Sequence, residues 1–181
     1  MKTIFLPIVI SRLPAHAILL GLVSLVGTLV RPLTAGNIRL IASEAGLRDE
    51  LKYIAEALAL IERHDPRRFQ RVLRTIKRIC VARWKRFVSN APTVKLCLVQ
   101  SIPADAKVSS RTRALAYAFV IIYCATEGYF YRRGIPWTRA NASRIKRACA
   151  IECTYFLRHF PKEGSEAFEL IRPHLRSPDP A

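Results

Sequence analysis

Acidic side chains are scarce in this chain: 13 Asp and Glu face 30 Lys and Arg, leaving a formal net charge of +17. The shortage is sharpest from Arg63 to Lys95, where eleven Lys or Arg accompany a single acid, Asp65. Such a stretch suits phosphate-bearing partners, either nucleic acid or anionic lipid. Histidine is also sparse, at 4 residues. His64, His159 and His174 are scattered and read as surface or capping residues, so spacing supports no Ser-His-Asp or Cys-His arrangement. Cysteine occurs 5 times, an odd number, with no Cys-x-x-Cys pair. That argues against a full disulfide framework or a zinc knuckle and for reduced, mostly buried thiols. The 7 glycines form no phosphate-cradling loop, and no segment repeats.

Apolar residues, by contrast, make up 51% of the 181 residues, enough for one packed domain with a small appendage. Part of that fraction belongs to Leu13 to Val30, 18 residues with no formally charged side chain and one titratable group, His16. As a helix this run spans ~27 Å, close to the hydrocarbon thickness of a bilayer. It stands near the terminus, ahead of a break at Pro32 and Gly36, and an uncleaved anchor is expected. A cleaved signal, with Thr34-Ala35-Gly36 as a faint cleavage site, and a buried core helix are the alternatives. Lys2 and Arg12 on one flank nearly balance Arg31, Arg39 and Arg48 on the other, so the side of the membrane is left open.

Beyond the anchor, Asn37 to Ala42 suggests a short extended segment. Leu47, Leu51, Ile54, Leu58 and Ile61 recur at helical spacing up to His64-Asp65-Pro66, where proline ends one helix and suits the first turn of the next. Phe69, Val72, Ile76 and Ile79 form the apolar stripe of that second helix. Arg67, Arg71, Arg74 and Arg78 fall on another face at spacings of four, three and four. Val81 to Val88 and Thr93 to Val99 flank Ser89-Asn90-Ala91-Pro92 and read as a β-hairpin. Ser109 or Ser110 caps a long apolar helix to about Arg133, which Gly134-Ile135-Pro136 ends. Thr138 caps another, which Pro161 closes. A short amphipathic helix around Phe168, Leu170 and Ile171 completes the tail. The expected organisation is an anchor over 1–36, an α-rich α+β domain over 37–161 and a short C-terminal appendage over 162–181.

Two isolated acids stand out in the long helices. Glu127 precedes Gly128 in the apolar one, and Glu152 lies between Cys149 and Cys153 in the other. The frame Tyr123-Cys124-Ala125-Thr126-Glu127-Gly128, with Gly134-Ile135, Cys149 and Glu152, resembles a family of bacterial zincin-type (gluzincin-like) metallopeptidases. Their helix reads His-Glu-Ala-Thr-His-Gly at that place. The resemblance covers roughly residues 37 to 161 and implies a small zincin-like domain, predominantly α-helical with a short β-hairpin. In a working site two histidines bind zinc, the glutamate beside the first polarises water, and a later helix supplies a third ligand. Carried over residue by residue, the ligand positions fall on Tyr123 and Glu127, the base on Cys124 and the third ligand on Glu152. Both imidazoles and the base are replaced, and a phenol with pKa near 10 is a poor zinc ligand at neutral pH. The 25 residues from Glu127 to Glu152 cross a Gly-Ile-Pro turn, which permits antiparallel helices whose carboxylates meet. Without a metal they repel unless one is protonated or an arginine such as Arg144 or Arg147 neutralises them.

The resulting expectation is a membrane-anchored, non-catalytic, zincin-like scaffold or binding protein with no metal or cofactor, single-pass in the bacterial inner membrane. One alternative is binding of nucleic acid or anionic lipid through Arg67, Arg71, Arg74 and Arg78. Another is a divergent metal hydrolase built on Cys124, Glu127 and Glu152. Sequence identifies no protein partner.

Overall fold

A computed structural model describes residues 33–83, 88–91, 95–103 and 106–175, so the expected anchor at Leu13 to Val30 lies outside the described residues. Among them the chain is α+β and rich in helix. Strand β1 (Leu33–Ala35) turns at Gly36, whose φ of 58° favours glycine, into β2 (Ile38–Ala42). Helices α1 (Glu50–His64) and α2 (Pro66–Thr75) then carry the chain back to β3 (Arg78–Ala82), which lies parallel to β2. Strands β4 (Val88–Ala91) and β5 (Leu96–Gln100) complete a mixed sheet in the order β1-β2-β3-β5-β4, with β5 parallel to β3 and β4 antiparallel to β5. Three helices follow: α3 (Ser110–Arg132), α4 (Arg139–Leu157) and α5 (Pro161–Leu175).

The sheet is apolar on both faces. Ile38, Leu40, Ile79, Val81, Cys97 and Val99 join the helices in the main core. Ile41, Cys80, Leu96 and Leu98 are buried on the other face in a cluster made of strand residues. This double burial accounts for the near-continuous apolar runs of β3 and β5.

Helix α3 is the centre of the molecule. Every residue from Thr112 to Ile122 is buried, and α1, α2, α4, α5 and the sheet all pack on it. Among the described residues it is the one helix long and apolar enough to cross a membrane, but most of it is enclosed by protein. Ser109 caps it as expected, its Oγ accepting from the Thr112 N–H at 3.0 Å. At the far end Gly134 takes φ 73°, and the Gly134 and Ile135 N–H groups donate to the Tyr131 and Phe130 carbonyls at 3.0 Å each. A buried polar knot ties α3 to α1. Glu50 accepts from Arg113 at 3.1 Å and from the Tyr117 hydroxyl at 2.5 Å, while Arg113 also donates to the Ile102 carbonyl at 2.8 Å.

Three elements differ from the sequence reading. Helix α2 stops at Thr75, so Arg78 and Ile79 belong to β3 rather than to the helical stripes. The Thr75 hydroxyl turns back onto the Arg71 carbonyl at 2.8 Å, and Ile76 is extended. The Lys77 and Arg78 N–H groups then donate to the Lys95 carbonyl, drawing the chain onto the sheet. A hairpin is present, but Val88–Ala91 is a strand rather than its turn, in register Val88↔Val99 and Ala91↔Leu96. The short hairpin is thus one edge of a five-stranded sheet. Pro161, expected to close α4, also opens α5, whose Ala167 and Ile171 are fully buried.

Candidate functional site

Helices α2, α3 and α4 meet around Thr126, Cys149 and Glu152, where the resemblance would put a metal site. Asp65 fixes the start of α2: its carboxylate accepts from the Arg68 N–H at 2.9 Å and pairs with the Arg68 guanidinium. The same guanidinium reaches α4, with Nε 2.9 Å from Glu152 Oε2 in an ion pair. Arg71, one turn on, places Nη1 3.0 Å from that oxygen and also donates to Thr126 Oγ1 of α3 at 3.4 Å. One carboxylate of α4 is therefore held by two guanidiniums of α2. Side-chain exposures of 18%, 21% and 27% for Arg68, Arg71 and Glu152 make this a half-buried lock, stronger than a surface pair.

Helices α3 and α4 pack on each other, and an acid from each bears on a common neighbour. Glu127 and Glu152 both lie near enough to Cys149 to push its thiol upward, after burial, which is the largest cause. The thiols of Cys149 and Cys153 donate to the Tyr123 and Phe119 carbonyls at 3.7 and 3.4 Å, which marks how closely the two helices approach. For Glu152 the neutralising charges are those of Arg68 and Arg71, where the sequence suggested Arg144 or Arg147. Tyr123 is partly buried and stacks on Phe119 with centroids 6.4 Å apart. Burial, then Cys149 and Glu127, raises its phenol well above the usual range. Cys124 is fully buried beside Cys97 of β5, and burial raises its thiol.

These residues do not fit zinc. Burial around Tyr123 and Cys124 favours their neutral forms, and Glu152 already has two cationic partners. Among the described residues no three His, Cys, Asp or Glu are placed to share a metal ion.

The arginine stripe divides. Arg67, Arg71 and Arg74 line a cleft of about 580 Å³ with Tyr129, Arg132 and Arg133 from the end of α3. Arg78 lines a separate hollow of about 550 Å³ with Arg39, Lys77 and Lys95 at the sheet. Sequence reasoning missed Arg68, Arg132 and Arg133. The last two carried a signal, since a double arginine closing an apolar helix must leave the core. No family model, curated protein or solved structure matches this chain.

Proposed function

We propose that this protein is a non-catalytic, membrane-tethered binding protein on a zincin-like frame, in which an arginine–carboxylate lock stands where a metal centre would be. The observation carrying this reading is Glu152 held between Arg68 and Arg71 at 2.9 and 3.0 Å. A zinc ion there would have to displace two guanidiniums and recruit a phenol and a buried thiol that both resist deprotonation. The lock supplies by ion pairing the charge balance that a metal supplies in a working member of the family. The tether is supported by the 18 uncharged residues from Leu13 to Val30.

The test uses the full-length chain. It should sediment with membranes and, once purified in detergent, hold no stoichiometric zinc and cleave no peptide. One zinc per chain, lost on Glu152→Ala, would overturn the non-catalytic reading, and an intact chain in the soluble fraction would overturn the tether.

A further inference from the structure

The cleft between α2 and the last turn of α3 has the makings of a ligand site. Arg67, Arg71, Arg74, Arg132 and Arg133 surround about 580 Å³, and no Asp or Glu lines it. Five like charges around one space repel, and a bound polyanion relieves that repulsion. Three of the five are held in place. Arg71 is fixed by Glu152 at 3.0 Å, Arg132 donates to the Arg74 carbonyl at 3.1 Å, and Arg133 lies over the Tyr129 ring at 4.8 Å. Donors already positioned lose less freedom on binding, and guanidinium forks match phosphate oxygens in pairs.

Size and lining narrow the ligand. The cleft has the volume of a small-molecule site. Tyr129, its aromatic, carries Arg71 at 5.3 Å as well as Arg133 over its ring, which leaves it poorly placed to stack a nucleobase. That argues against single-stranded nucleic acid and for bare phosphate.

We infer that this cleft binds a compact oligophosphate, meaning two or more neighbouring phosphate groups on a small molecule or a lipid headgroup. The inference rests on the reading of the chain as a binding protein, and because zinc analysis is a separate measurement, either can fail alone. Inorganic triphosphate titrated calorimetrically into the full-length protein should saturate at one per chain, with sulfate at matched ionic strength a weak competitor. Arg67 and Arg133 are exposed, so the double variant Arg67→Gln/Arg133→Gln should stay folded by circular dichroism. It should weaken binding by about tenfold or more. Arg78→Gln/Lys95→Gln, in the separate hollow, should leave binding unchanged. Vesicles carrying phosphatidylinositol bisphosphate, compared with phosphatidylserine vesicles of equal charge, identify the source. A bisphosphate preference lost in the Arg67/Arg133 variant assigns a headgroup; triphosphate binding without that preference assigns a soluble ligand. The inference is overturned if triphosphate does not saturate. Equal weakening by both double variants also overturns it, since that is diffuse charge, as does displacement of triphosphate by oligonucleotides whose affinity grows with length.

Discussion

A methyl group at Gly164 would stand 2.7 Å from the Leu157 carbonyl oxygen. Glycine inside a helix ordinarily loses about 0.5–1 kcal/mol relative to alanine, so Gly164→Ala viewed in isolation should stabilise α5. The neighbour decides the sign. A backbone carbonyl cannot rotate aside as a flexible side chain can, and the turn joining α4 to α5 must open to admit the methyl. We expect Gly164→Ala to destabilise the protein by ~1–3 kcal/mol, read from the urea midpoint, as for other overpacked sites. A midpoint shifted upward would mean that the turn has slack. Sequence alone marks Gly164 only as a weak helix former; the close approach that explains it is tertiary.

At the scale of elements, the lock across α2 and α4 makes a second prediction. Glu152→Gln keeps the shape but removes the charge shared by Arg68 and Arg71, leaving two guanidiniums side by side. Because all three side chains are partly exposed, the cost should be ~1–2 kcal/mol, below that of breaking a fully buried pair. High salt should shrink the difference between Glu152→Gln and the parent, and a salt-independent gap would point to packing instead. The packing of α3 on α4 was legible in the sequence, because two long helices joined by a short Gly-Ile-Pro turn fold back as neighbours. The ends of α3 were legible too, since Ser109 and Gly134 act through local backbone chemistry. The arginines that answer Glu152 were not, because an ion pair between α2 and α4 leaves no local pattern. Strand β3 was hidden for a different reason: Arg78-Ile79-Cys80-Val81-Ala82 is buried on both faces, and an apolar run without alternation extends a helical stripe as readily as a strand.

The whole molecule carries an alkaline liability. Burial pushes the Cys80 thiol up to about 12, with Cys97 adding to it, and raises Cys124, Cys149, Cys153, Tyr117 and Tyr123 as well. Each group keeps its proton in the folded state and loses it near pH 9–10 once unfolded. Their contribution is therefore fully present below about pH 9 and is lost as pH rises toward the folded values. Each group should lower unfolding free energy by ~1.4 kcal/mol per pH unit above its unfolded pKa. Urea midpoints should be level from about pH 7 to 8.5 and fall steeply beyond 9; a curve still level at about pH 10.5 would contradict this burial. The central position of α3 also bears on how the chain is made. The sheet, α1 and α2 precede it, so part of its cover exists when it leaves the ribosome, whereas α4 and α5 are synthesised last. Until they arrive, the strip of α3 that later touches Cys149, Cys153 and Phe168 is bare, around Phe119 and Tyr123. That strip lies on a helix apolar enough to pass for a membrane span. A premature stop or a protease cut before Arg139 would thus release a chain that bares part of a core helix long and apolar enough to cross a membrane.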